Sequence, residues 1–204
     1  MGDFESPDEL WIPKSRRTFA TNGVVSFSTA SMLTVKGWKG AGQAQNEDKS
    51  RELSERIAYQ LRNLKGPFEG LLKEGKDWDE RGRRVWVHGI SALGIELHTA
   101  FEALPVGAAQ WRAPGLTLGV LDEFSWNAYA SPSYAAALAC VQPFGKLVII
   151  FTGNFDSYAN IETAAMLKRA RPIEEFPRLW QPKHGSDASQ RASGADGIRE
   201  PTGS

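Results

Sequence analysis

The sequence predicts a single compact α+β domain, with a small antiparallel or mixed sheet packed against two to four helices, a flexible N-terminal arm and a disordered C-terminal tail. Three observations predict it. Leu53, Ile57, Leu61 and Leu64 recur at helical spacing on a charged background. Leu116 to Leu121 and Leu147 to Phe151 are short apolar runs of strand type. Between residues 85 and 152 only six Asp, Glu, Lys or Arg side chains occur, which marks this stretch as the core. The expected boundaries are an arm at 1–20, one globular domain at 21–180 and a tail at 181–204.

Taken in order, Met1 to Leu10 is acidic, whereas Trp11 to Asn46 carries Lys14, Arg16, Arg17, Lys36 and Lys39 and no carboxylate. Val24 to Phe27 and Met32 to Val35 are β-prone and predict two short strands. The Gly, Gln and Asn content of Gly37 to Asp48 predicts an exposed mobile loop, which would hold Trp38 and Lys39 on a flexible arm. The next helix runs over Leu53 to Leu64. Its outer face is charged, Glu52 reaches Arg56 four residues on, and Gly66-Pro67 ends it. Lys73 to Arg84 is a charged connector.

The segment after the connector supports two readings. Trp86, Ile90, Leu93, Leu97, Phe101 and Leu104 recur every three or four residues and predict a helix, although Gly89 and Gly94 would each cost it about 1 kcal/mol. The alternation of Val85 and Val87 supports a short strand ending at His88 instead. Leu116–Leu121 and Leu147–Phe151 read as strands, the second buried on both faces, with Pro114, Pro132 and Pro143 between elements. Tyr134 to Val141 fits helix and strand equally. Tyr158 to Arg169 reads as a last helix, and Gln181 to Ser204 lacks the apolar side chains to offset its ordering entropy.

Charge and cysteine content narrow the function classes. With 24 basic and 24 acidic residues, no global field draws the chain to nucleic acid or membrane, so any such binding must be local. The only cysteine, Cys140, has no internal disulfide partner, which favours an intracellular setting. No leader and no membrane-spanning run is expected.

No catalytic set is visible. His88 and His98 are ten residues apart, too sparse with one cysteine for a local zinc site, and His98 with Glu102 reads as an ordinary i,i+4 contact. Cys140 lies in an apolar context that raises a thiol pKa and quenches a nucleophile. Gly37 to Gly42 lacks the strand-to-helix setting of a phosphate loop, and no Gly-Lys-Ser/Thr motif occurs. Asp122 with Glu123, taken as strand residues, would point to opposite faces, and Asp77, Asp79 and Glu80 read as a solvated cluster. The expectation is therefore a non-enzymatic protein with no metal and no cofactor.

The segment order resembles the matrix proteins of rhabdoviruses. Asp8-Glu9-Leu10-Trp11-Ile12-Pro13 is similar to the acidic then Leu-Trp-aliphatic-Pro start of some members' arms, and Lys146 to Ala165 is similar to the family's late strand and helix. The chain departs from the family in lacking a Pro-Pro-x-Tyr motif and in an arm that is acidic before it is basic. The resemblance implies a viral structural protein, found in the virion and host cytoplasm, that self-associates and links a nucleocapsid to the inner membrane leaflet. Its implied partners are itself, the viral nucleocapsid and an anionic membrane surface.

Under that reading Lys14, Arg16, Arg17, Lys36 and Lys39 attract anionic lipid, at about 1 kcal/mol per charge near the surface. Trp11 and Trp38 anchor at the interface. The alternatives are an RNA-binding coat or nucleocapsid protein, in which the same cations meet phosphate, and an enzyme of unrecognised type.

Overall fold

The computed structural model describes residues 8–14, 19–66, 69–70, 72–90, 94, 96–112 and 115–152. The chain divides into a unit at 1–170 and a second at 171–204, the latter outside the described residues. The helix expected at Tyr158 to Arg169 and the tail expected from Gln181 also lie outside them.

Seven strands alternate with three α-helices among the described residues. In chain order they are β1 (Asp8–Pro13), α1 (Ala20–Thr34), β2 (Lys39–Gln43), α2 (Glu47–Arg62), β3 (Trp78–Arg81), β4 (Arg84–Val87), β5 (Thr99–Ala103), β6 (Leu116–Leu121), α3 (Ala130–Cys140) and β7 (Val141–Phe151). The strands form one mixed sheet in the order β1-β7-β6-β2-β5-β4-β3. The five from β1 to β5 in that order run parallel, and β4 and β3 extend the edge as antiparallel neighbours. The mixture of helix and strand is as expected, but the sheet is larger than the small one predicted.

Side-chain alternation sorts the core into two layers. Trp11, Ile149 and Leu121 are in register across β1, β7 and β6, and they belong to the layer beneath α3. Leu10, Val148 and Val120, one residue earlier on each strand, belong to the opposite layer, where α1 and α2 pack. Both layers bury large side chains fully, among them Ile57, Trp78 and Phe101 on one side and Phe124 and Ile149 on the other.

Some elements match their sequence signals. Leu53, Ile57 and Leu61 are buried along α2, whose Asn46 cap accepts a hydrogen bond from the Lys49 amide at 2.9 Å. Leu116–Leu121 is β6, and Leu147–Phe151 forms the buried end of β7. The undecided stretch before Val141 is α3, which takes Pro132 into its first turn; Pro143 lies within β7, not between elements.

Other expectations are corrected. Of the two predicted strands, Val24 to Phe27 and Met32 to Thr34 belong to α1, and Val35 is its C-cap. There Ser28, Thr29 and Thr34 satisfy their hydroxyls on carbonyls four residues back, and Val25, Ser28, Thr29 and Met32 make the buried stripe, so packing overrides β propensity. The expected loop over Gly37 to Asp48 holds the central strand β2 and the start of α2. Gly42 serves close packing there: a Cβ on it would lie 2.8 Å from Leu53 Cδ1 and 2.9 Å from the Phe101 ring. The expected helix over Trp86 to Leu104 is instead β4 and β5, with Val85, Val87, Thr99, Phe101 and Ala103 buried in alternation. Asp8 to Pro13, assigned to a flexible arm, is the strand β1.

Candidate functional site

In a parallel sheet the helix dipoles and connecting loops converge at the carboxyl ends of the strands, above all where consecutive connections leave for opposite faces. Here the chain leaves β1 toward α1 on one face and leaves β6 toward α3 on the other, with β7 between them. The crevice so defined is framed by Lys14, which follows β1, and by Asp122 and Glu123, which follow β6. Lys14 is anchored by its amide, which donates to the Phe151 carbonyl at 2.8 Å.

The four polar side chains at this point form one cluster. Lys14 Nζ donates to Asp122 Oδ1 at 2.9 Å and to Thr21 Oγ1 at 3.1 Å, and lies 3.6 Å from Glu123 Oε1. Thr21, in the first turn of α1, donates its hydroxyl to Asp122 Oδ2 at 2.9 Å. The Lys14 and Asp122 side chains are about nine-tenths buried, at 10% and 9% exposure, whereas Glu123 remains one-third exposed. A buried cation, a hydroxyl and a carboxylate thus sit in contact, with a second carboxylate open to solvent beside them.

Two local features set this place apart. Glu123 has φ 52° and ψ 40°, a left-handed conformation that is uncommon outside glycine and costs of order 1 to 3 kcal/mol. The N-terminus of α1 carries no acidic residue in its first turn and no side-chain cap, in contrast to α2 with Asn46, Glu47 and Asp48. Its first-turn amides and positive dipole end face the same region as Lys14, whose ammonium reaches Thr21.

Among the described residues, those proposed from sequence as a basic-aromatic surface are not brought together. Lys14 lies at the carboxyl end of the parallel strands, occupied by Asp122 and Thr21, whereas Lys36 and Lys39 are exposed at the amino end of β2. Trp11 and Trp38 are 4% and 3% exposed and belong to opposite core layers, so neither indole is displayed for a membrane or a partner. Arg16 and Arg17 lie outside the described residues. Among the described residues no helix is long and apolar enough to cross a membrane.

The other candidates are held in structural roles. His98 pairs with Glu96, not Glu102, and Glu102 pairs with Arg84 across the sheet. Asp77 accepts the Lys73 amide, Asp79 pairs with Arg81, and Glu80 with Arg62. Burial pushes the Cys140 thiol pKa up, away from nucleophile chemistry. An open depression of about 580 Å³ beside His88, Lys73 and Lys76 lies at the amino end of β5, opposite the crevice. Among the described residues no group of three His, Cys, Asp or Glu is placed to hold a metal.

No family model and no curated protein matches the chain. Among solved structures it is similar to one titled Thermus Phage P74-26 Large Terminase ATPase domain mutant R139A. The two are 14% identical with a TM-score of 0.48, over 78% of this chain and 64% of that one. The chain thus spans less than two thirds of that protein's length. The expectation of a matrix protein with a membrane-facing basic-aromatic surface is corrected here: Trp11 and Trp38 are buried in opposite core layers, and Lys14 is paired with Asp122 away from Lys36 and Lys39.

From sequence Asp122 and Glu123 read as strand residues, whereas both follow the end of β6. The usable signal was an apolar strand, Leu-Gly-Val-Leu, ending directly in two carboxylates, together with a strand-loop-helix that carries Lys14 and Thr21.

Proposed function

We propose that the crevice binds a nucleoside triphosphate with a divalent cation and transfers its terminal phosphoryl group to water. The observation that carries this reading is the Lys14–Asp122–Thr21 cluster, in which both ends of the loop between β1 and α1 meet the residue that follows β6. Triphosphate hydrolases built on a strand, a loop and a helix use this division of labour: a lysine for the phosphates, and a hydroxyl with an aspartate for magnesium. Pro13 to Thr21 contains no glycine, so the usual glycine-rich fingerprint is missing and the lysine precedes the loop.

The donor set suits a hard cation. Thr21 Oγ1 and Asp122 Oδ2 are oxygen donors already 2.9 Å apart, and magnesium in such sites takes one or two protein oxygens beside the phosphates. Such an ion, when bound, neutralises charge on the transferring group. Lys14 supplies positive charge to the phosphate oxygens from a position fixed by the Phe151 carbonyl and Asp122. The uncapped N-terminus of α1 adds amide donors. Glu123, partly exposed and turned by its left-handed backbone, orients the attacking water and takes its proton. The water oxygen bonds to the terminal phosphorus as the bond from that phosphorus to the bridging oxygen breaks, and the diphosphate leaves.

The test is phosphate release from ATP and magnesium by the full chain and by Glu123→Gln. Turnover in the parent, lowered on the order of 10²-fold or more in the variant with binding retained, supports the assignment. No turnover in the parent, or equal turnover in both, overturns it.

A further inference from the structure

We infer that Gln43 is a positioning residue that sets the Glu123 carboxylate by tying both ends of the turn that carries it. This rests on the triphosphate reading above and adds to it a residue outside the cluster. Gln43 is the last residue of β2 and is fully buried, an unusual place for a primary amide. Its backbone carbonyl accepts the Asp122 amide at 2.8 Å, at the start of the turn after β6. Its side-chain Oε1 accepts from Asn127 Nδ2 at 3.3 Å, at the end of the same turn. Asn127 is itself buried, and its Oδ1 accepts the Tyr129 amide at 2.8 Å, which continues the tie into the start of α3.

The Gln43 amide nitrogen is also engaged. It donates to the Pro105 carbonyl and, at 3.2 Å, to the Gly107 carbonyl, both in the loop that follows β5. One side chain therefore joins the loops after β5 and β6 while standing at the end of the strand between them. A left-handed glutamate persists only where its surroundings over-determine it. Here the residues that bracket Glu123 are both bonded to Gln43, and the Asp122 side chain further accepts the Glu123 amide at 2.9 Å. Among the described residues the Gln43 side chain bonds to Pro105, Gly107 and Asn127 and not to Lys14 or Thr21, so its effect falls on the reactive geometry and not on affinity.

The experiment uses the full chain with ATP and magnesium, measuring nucleotide Kd by titration and kcat by phosphate release. The variants are Gln43→Met, which keeps length, volume and the backbone bond to Asp122 but removes the side-chain hydrogen bonds, and Asn127→Ala, which cuts one tie and leaves the Pro105 and Gly107 bonds intact. Both are expected to lower kcat on the order of 10- to 100-fold, as a small misplacement of a reacting group does, with Kd within about threefold of the parent. Because Gln43 acts through Glu123, adding Gln43→Met to Glu123→Gln should lower kcat no further.

A parent-like kcat in both variants overturns the inference, as does a Kd that weakens in step with kcat. A full additional loss in the Glu123→Gln background overturns it too, since Gln43 would then act elsewhere. If Gln43→Met does not fold, Asn127→Ala decides by the same measures. A parent protein that neither binds nor hydrolyses the nucleotide overturns the triphosphate reading and this inference with it, an outcome distinct from an active parent with an equally active Gln43→Met.

Discussion

Replacing Lys14 by methionine removes the cation from a buried pair while keeping most of the aliphatic volume. The Lys14 and Asp122 side chains are 10% and 9% exposed, so the carboxylate left behind cannot simply rehydrate. Breaking such a pair from one side costs about 3 to 5 kcal/mol. Asp122 would keep the Thr21 hydroxyl and the Glu123 amide as donors, which places the expected loss near the lower end, about 3 kcal/mol. In Asp122→Asn the lysine loses its buried counter-charge and keeps, among the described residues, the neutral oxygens at 122 and Thr21 and the more distant Glu123 carboxylate, and a loss of similar size is expected. The double variant should recover part of either loss, because the penalty is for an uncompensated charge. The assay is urea unfolding of the parent, the two single variants and the double variant, with a shift in midpoint at constant slope as the readout. A loss below about 1 kcal/mol in both single variants, or strict additivity in the double, would show that the pair is neither buried nor coupled.

Two further outcomes concern the framework that holds the site. Ile149→Ala should cost about 2 to 5 kcal/mol in the same assay, because Ile149 is fully buried in β7 with Trp11 and Leu121 in register on either side; a loss below about 1 kcal/mol would remove it from the core. Gly42→Ala should cost about 1 to 3 kcal/mol by overpacking against Leu53 and Phe101, and an unchanged midpoint would show that β2 does not need the close approach.

The legible parts of the fold were those whose signal is local. α2 carries its own apolar stripe, cap and acidic first turn, so its sequence and its packing agree. The apolar runs in β6 and β7 needed no partner to be recognised as strands. The misread parts take their conformation from distant contacts. α1 is rich in Val, Ser and Thr, and becomes helical because its stripe packs on the sheet while its hydroxyls bond back to the helix. β2 looked like a loop because its glycines, which usually mark flexibility, here leave room for Phe101 and Leu53. The period of Trp86 to Leu104 ran across two separate strands, and Val85 with Val87 carried the true alternation.

The candidate site was hidden for the same reason. Lys14 and Asp122 are 108 residues apart in sequence and meet only because β1 and β6 flank β7. From sequence Lys14 reads as a lipid-attracting charge, and Asp122 and Glu123 read as strand residues facing opposite ways. The turn begins at Asp122, and a left-handed Glu123 is not readable from a residue type that seldom adopts it. Gln43 carried no signal, since a glutamine beside a glycine-rich stretch reads as surface until its burial is known.

The most direct test of the account is calorimetric titration of the full chain with ATP, with and without magnesium, beside Asp122→Asn. The expected result is binding within about the micromolar to millimolar range usual for such substrates, strengthened by magnesium in the parent and with that magnesium dependence lost in the variant. No binding at millimolar ATP, or equal magnesium dependence in parent and variant, would contradict it.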